Sequence, residues 1–345
     1  MKIQNLILVS VLLLSAAGFA QKAKTNSQAP KAPFIAMFYN VENLYDTQND
    51  PKTDDDEFTP AGKVPWTQDR LETKINHIGQ VIAGISAPAM PDIVGFAEIE
   101  NQQVLEMLTA SALLSKTKYG IVHYDSPDER GIDVAMLYNP ATFTIIFSEP
   151  VHVELPDNDR TRDILYVKGK AKSGDVLHVF INHWPSRREG TEQSEPRRLI
   201  AASVLRAKID EIQKADKSAN ILILGDFNDE PSNASITKGL NAQNPEGVIS
   251  SISLYSLLYP YLIKGEGSLF YKDWDLFDQI IVSGNMLSSK KGLHTSSGDA
   301  GIYKADYLLF TNKAGEARPN RTMSSDKYFG GYSDHLPVFV KFGLK

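Results

Sequence analysis

The sequence predicts an α/β protein made of two packed β-sheets of mixed pairing, flanked by helices. Three observations lead there. Short apolar runs of strand length recur along the chain and outnumber the helical stretches. The amphipathic helices fall between those runs rather than in a block of their own, the pattern of sheets with helices laid against them. No Pro-, Gly- or Ser-rich linker and no repeat of solenoid period divides the chain.

The chain opens MKIQNLILVSVLLLSAAGFA, with Lys2, an apolar run from Leu6 to Leu14 and small residues at Gly18 and Ala20. This reads as a secretory signal peptide over residues 1–20, too short to span a membrane, so export to the periplasm or beyond is expected, with no stable membrane insertion after cleavage. Residues 21–32, polar and small, read as a flexible leader, and 33–345 as one domain. With no cysteine, the chain has no disulfide framework, thiolate metal site, cysteine nucleophile or lipid anchor on cysteine. Its core must hold it, and the chain is expected to be a monomer. The net charge of −6 does not exclude a polyanionic partner, because salt screens the total while a local basic rim still acts.

The first helix is expected over 69–86, where Leu71, Ile75, Ile78, Ile82 and Ile85 make one apolar face, with His77 beside it as a structural residue. DIVGF at 92–96 follows Pro91 as a buried strand, and a helix is expected over 101–114. Further strands are expected at 132–138, 143–147, 176–182, 221–225, 278–283 and 337–342, with a helix over 194–214. The run DPKTDDDEF (50–58) lacks the glycine and closing glutamate of a calcium loop and reads as a solvated loop.

Polar residues gather where these strands end or begin. Asn40 follows FIAMFY, Glu98 follows DIVGFA, His183 follows HVFIN, and Asp226 with Asn228 follows ILILG. Asp133 opens IDVAMLY, Asp278 opens DQIIVS, and the pair Asp334 and His335 precedes LPVFV. Strand ends running one way share a sheet edge with strand starts running the other way, so these motifs can meet on one rim. A solvated turn explains GDFNDEP alone, but not this regularity. Glu98, Asp226 and Asp334 with the amides Asn40 and Asn228 make an oxygen-rich set of the kind Mg²⁺ or Mn²⁺ takes. His183 with Asp133, and His335 with Asp278, are expected to form two carboxylate–imidazole pairs.

With these residues assembled, the chain resembles the endonuclease/exonuclease/phosphatase family, whose members look like deoxyribonuclease I and the apurinic-site endonucleases. The resemblance runs through FYNVENLYD (38–46), DIVGFAEIEN (92–101), RGIDVAMLY (130–138), INHWPSR (181–187), GDFND (225–229), DQIIVS (278–283) and YSDHLPV (332–338), in that order. It implies a four-layered α/β sandwich and metal-dependent cleavage of phosphate esters. It implies Asn40 and Glu98 at the metal, Asp226 and Asn228 at the attacking water and phosphate, and Asp334 and His335 at the phosphoryl group. It also implies that Asp278 orients His335 and Asp133 orients His183. Glu100, two residues past Glu98, departs from the family pattern and competes for the metal.

The expected activity is an exported Mg²⁺- or Mn²⁺-dependent phosphodiesterase, a nuclease on DNA or RNA, with Asp226 or His183 as the base. The alternative is a phosphatase or phospholipase-type esterase on a small or lipid phosphate, since one core serves these chemistries. LYSLLYPYLI (254–263) hints at lipid, though core packing explains it equally. A binding module that has lost catalysis is disfavoured because every core residue is present. Arg187 and, at lower rank, Arg160 and Arg162 are candidates for binding phosphate. Trp184 either stacks on a base or braces its loop. His123, His152, His178 and His294 carry no motif and are read as core or surface histidines, and the RPNRT stretch (318–322) with Asp306 as framing the pocket.

Overall fold

A computed structural model describes residues 32–324 and 327–344. The expected signal peptide (1–20), and the expected leader except its last residue, lie outside the described residues. One sheet runs, in order, Leu293–His294, Val338–Leu344, Phe34–Leu44, Ile93–Ile99, Asp133–Tyr138 and Gly120–His123, with Ala300–Ile302 also paired to Val338–Leu344. The other runs Phe143–Val151, Ile164–Ala171, Val176–His183, Asn220–Asp226, Asp278–Ser283, Leu254–Ser256 and Ala242–Gln243. Both sheets are mixed. Phe34–Leu44 lies parallel to Ile93–Ile99, Val176–His183 parallel to Asn220–Asp226, and Leu254–Ser256 parallel to Ala242–Gln243, while the other pairs of the two sheets are antiparallel.

Alternation of side chains builds the layers. Phe34, Ala36 and Phe38 of one sheet share an inter-sheet core with Val179, Ile181, Leu222, Leu224, Ile280 and Val282 of the other. The alternate residues Met37, Tyr39 and Val41 pack under Leu71, Ile75, Ile78 and Ile82 of the helix Gln68–Gly84. Ile221 and Ile223 pack under Leu205 and Ile209 of the helix Thr191–Ala215. The result is a four-layered sandwich, helix over sheet over sheet over helix. Each fully buried Leu, Ile or Phe contributes roughly 1.5–3 kcal/mol, so these layers supply the stability that no disulfide provides.

The expected helix over 101–114 is shorter, Gln102–Ala110, because Asn101 caps it by accepting from Val104 N and turns follow Ser111. The strand Ile164–Ala171 was not expected, since ILYVKGKA interrupts its apolar run with two lysines and a glycine. Gly169 is required there: a Cβ would lie 2.1 Å from the ring of Phe143 on the neighbouring strand. LYSLLYPYLI becomes the inner strand Leu254–Ser256 and the short helix Tyr259–Ile263, with Leu254, Tyr255, Leu257 and Leu258 buried, so this stretch packs into the core. The acidic run 50–58 is a turn-rich loop pinned by the buried Asp55, which accepts from Asp50 N, and by the buried Phe58. Among the described residues no helix is long and apolar enough to cross a membrane.

Candidate active site

His183, Asp226 and Asp278 stand on one rung of three adjacent strands: His183 pairs with Asp226, and Asp226 with Asp278. Each lies two residues from an inter-sheet core residue (Ile181, Leu224 and Ile280), so alternation turns all three toward the space between the sheets. Asn40 extends Phe38 in the same way from the opposite sheet. The apolar core thus ends, at one end of the sandwich, in a layer of buried polar side chains. Asn40 Nδ2 donates to Asp226 Oδ2 at 3.0 Å and joins the two sheets. Gly225 keeps the rung close, since a Cβ there would meet the carbonyl oxygen of Asn182 at 2.6 Å.

Glu98 reaches this layer through a β-bulge. Ala97 pairs with Val134 and Ile99 with Asp133, leaving Glu98 as the extra residue, with φ at 66°. Ala97 faces the inter-sheet core and Ile99, two residues on, the helix side, an inversion that only such an insertion permits. Glu98 Oε2 accepts from Asn43 N at 2.9 Å, and Oε1 lies 4.0 Å from His183 Nε2 and 3.9 Å from Arg130 Nη2. Glu100 instead accepts from Asp46 N, and burial pushes its carboxyl up to about 8. Of the two candidates, Glu98 is the one beside His183.

His335 Nδ1 lies 2.7 Å from Asp278 Oδ2, which also accepts from Ser268 Oγ at 2.5 Å. Burial lowers the affinity of this imidazole for its proton, but the carboxylates of Asp278 and Asp226 more than offset that and hold it well above the ordinary histidine range. His183 behaves oppositely. Burial, with the nearby Arg162, Arg130 and His335, holds it well below that range, and its Nδ1 has no hydrogen-bond partner among the described residues. Asp226 Oδ2 lies 3.7 Å from His183 Nε2 and 3.8 Å from His335 Nε2, between an imidazole whose proton affinity is lowered and one whose proton affinity is raised.

The expected pairing of Asp133 with His183 is not found. Asp133 Oδ2 lies 2.9 Å from His123 Nε2, and Oδ1 accepts from Ser126 N and Oγ at 2.8 and 2.6 Å. Alternation explains it: Asp133 shares a face with Ala135 and Leu137, on the helix side of the sheet, whereas His183 faces the inter-sheet space. His123 sits on the neighbouring strand, opposite Ala135, and no local motif marks it.

Of the three arginines expected to bind phosphate, Arg162 and Arg187 are committed to acceptors of the protein itself. Arg162 is buried and donates to Asp128 Oδ2 at 2.8 Å, to the His183 carbonyl at 3.2 Å and to the Trp184 carbonyl at 2.7 Å, clamping the loop that carries His183. Arg187 donates to the Asn228 carbonyl at 2.7 Å and to Asp229 Oδ1 at 2.8 Å, with its guanidinium 4.5 Å from the centre of the Phe277 ring. The buried Arg198 takes the other oxygen of Asp229 at 2.8 Å. Both arginines thus shape the GDFND loop, where Asn228, at φ 48°, donates its side-chain amide to the Trp184 carbonyl at 3.0 Å and its backbone N–H to Asp226 Oδ1 at 2.9 Å. Trp184 braces the loop, buried edge-to-face against Phe227 with ring centres 4.7 Å apart.

Arg130, Glu42 and Arg321 border the site; they lie in RGIDVAMLY, FYNVENLYD and RPNRT respectively, but none is singled out there as a site residue. Arg321 bridges Glu42 Oε1 at 3.1 Å and Asp334 Oδ2 at 3.0 Å, while Asp334 Oδ1 lies 4.0 Å from His335 Nε2. Burial, then the charge of Asp334, pushes Glu42 up to about 7. The one available signal was an acidic residue set inside the apolar run FIAMFYNVENL. Glu98 and Asp334 each commit one oxygen to a protein donor; the other oxygen of Glu98 lies 4.0 Å from His183 Nε2 and that of Asp334 4.0 Å from His335 Nε2, and Asn40 is hydrogen-bonded to the buried Asp226. This hard, oxygen-rich donor set fits a divalent cation.

A model of the endonuclease/exonuclease/phosphatase family matches residues 35–343. The chain belongs to that family. This endonuclease/exonuclease/phosphatase protein is therefore a phosphoric ester hydrolase by descent, on the family's four-layered fold. Among solved structures it is similar to a mannosyl-6-phosphatase of Bacteroides thetaiotaomicron (17% identity, 90% of this chain and 99% of that one, TM-score 0.56). It is also similar to the human nocturnin catalytic domain with bound sulfate (18%, 91% and 95%, 0.53). A third is D. rerio TDP2 in complex with a single-strand DNA product (14%, 90% and 98%, 0.53). Among curated proteins, none matches the sequence.

Proposed function

We propose that the protein is an exported, divalent-metal-dependent phosphodiesterase that cleaves nucleic acid. The observation that carries the chemistry is Asp226 Oδ2 lying within 3.8 Å of two imidazoles, those of His183 and His335, whose surroundings push their proton affinities in opposite directions. Asp226, anchored by Asn40 Nδ2 and Asn228 N, is the group that accepts the proton of the attacking water. The imidazolium of His335, held by Asp278, donates to a phosphoryl oxygen and stabilises the charge that grows there. Neutral His183 orients the water or the ester through Nε2. Glu98, Asn40 and Asp334 would hold Mg²⁺ or Mn²⁺, which when bound supplies neutralisation of the phosphate charge.

Nucleic acid as substrate is supported by the DNA-bound neighbour and by a cleft of about 190 Å³ beside the site, where Arg130, Arg160, Arg188 and Arg197 contribute to the walls. A specific observation favours a second reading, a small phosphate ester: Arg160 is paired with Glu129, and Arg197 with Asp159 and Glu189, which reduces the cleft's attraction for a polyanion. Incubating the purified protein with supercoiled DNA, RNA and sugar phosphates, with Mg²⁺, Mn²⁺ or chelator, separates them. Nicking that slows as salt rises supports the first reading; intact nucleic acid with rapid turnover of a sugar phosphate establishes the second. Export rests on residues 1–20, and cell fractionation tests it.

A further inference from the structure

We propose that the hairpin formed by Leu269–Phe270 and Trp274–Asp275 is a stacking platform for the bases of a single-stranded nucleic acid whose phosphate is being cleaved. This rests on the nucleic-acid reading above. The hairpin is rooted in the catalytic layer: Leu269 bridges to His335, Ser268 Oγ donates to Asp278 Oδ2 at 2.5 Å, and Leu336 N donates to the Ser268 carbonyl at 2.7 Å. Its outer part carries aromatic rings. Phe270 and Trp274 face each other edge-on with ring centres 5.5 Å apart, and Tyr271 at the tip is 76% exposed.

Cations lie on these rings. The Arg318 guanidinium, which also pairs with Glu316 Oε2 at 2.7 Å, is 4.7 Å from the centre of the Phe270 ring, and Lys272 Nζ is 5.6 Å from that of Tyr271. The surface continues onto the adjoining ribbon, where Arg318 stands directly opposite Phe310, itself 57% exposed. Exposed aromatic rings with Lys272 beside them, leading away from a phosphate-cleaving centre, match the chemistry of an unpaired strand: rings accept bases whatever their identity, and the lysine meets the backbone. A lipid surface fits less well. Asp273 and Asp275 belong to the same hairpin, and carrying carboxylates into an acyl layer opposes insertion.

The test is fluorescence anisotropy in chelator, which reads binding without turnover. Labelled oligothymidylate is compared with a strand of the same length made of abasic residues. Tyr271→Ala is expected to weaken oligothymidylate binding on the order of tenfold and to leave abasic binding unchanged, while Tyr271→Phe restores it. Because Tyr271 is exposed, the substitution leaves the fold intact. Lys272→Ala is expected to reduce the salt dependence of binding to both strands. Equal binding of oligothymidylate by wild type and Tyr271→Ala overturns the platform while the nucleic-acid reading stands. A wild type that binds neither strand in chelator, and leaves both uncut in Mg²⁺, overturns both. Tyr271-dependent binding to phosphatidylglycerol vesicles, with no Tyr271 effect on oligothymidylate, assigns the hairpin to a membrane and overturns the proposal.

Discussion

His335 Nδ1 and Asp278 Oδ2 lie 2.7 Å apart although 57 residues separate them in the chain. The carboxylate fixes the ring's orientation and favours its cationic form, so it acts through the imidazole rather than on the ester. His335→Ala is therefore expected to lower kcat/KM on the order of 10²–10⁴-fold, and Asp278→Asn by less. The double variant should be little slower than His335→Ala alone, since the two residues work as a unit. Steady-state kinetics on a small phosphodiester, with melting temperatures on the same samples, checks this. Fully additive losses would show that Asp278 has a role of its own.

Asp133 belongs to His123 and Ser126, on the far face of its sheet from His183. Asp133→Asn and His123→Ala should each lower the melting temperature while leaving the rate per folded molecule within about twofold, whereas His183→Ala should do the reverse. Thermal melts and active-fraction kinetics distinguish these patterns. A large rate loss in a fully folded Asp133→Asn protein would restore it to the catalytic set.

Chelator is expected to abolish hydrolysis, and added Mg²⁺ or Mn²⁺ to restore it. The metal should also raise the melting temperature in proportion to its binding, because a ligand of the native state alone stabilises that state. Glu98→Gln should require higher metal concentrations for both effects. A melting temperature indifferent to metal, together with full activity in excess chelator, would remove the cation from the site.

His178 sits in a strand far from this chemistry, with Nδ1 2.8 Å from the Tyr166 hydroxyl, and burial, followed by the charge of Lys168, pushes it down to about 4. The unfolded chain takes up a proton here near the ordinary value of about 6.5, the folded one only near 4, so between these values the unfolded state holds more protons. Stability from this group is therefore constant above that window and falls as pH drops through it. His178→Gln should lose less in melting temperature than wild type between about pH 7 and about pH 5. Parallel acid-side curves for the two proteins would show that the protonation of His178 is not linked to folding.

Much of the fold is legible in the sequence, because side chains alternate along a strand and recur every three to four residues along a helix. The same rule reaches into the site. Asn40, His183, Asp226 and Asp278 each continue the inward face of an apolar run, so their meeting at one end of the sandwich follows from the period of the strand. Other features depend on partners distant in sequence. The bulge that turns Glu98 inward appears only when the register of Ile93–Ile99 against Asp133–Tyr138 is set, and it reverses the face that simple counting assigns. Asp133 finds His123, and Arg162 and Arg187 are drawn to Asp128 and Asp229, because a buried charge takes the nearest group able to compensate it. Local sequence determines which face a residue occupies where the strand is regular; a bulge such as the one at Glu98, and which charge stands opposite a residue, are decided only when the strands and loops have packed.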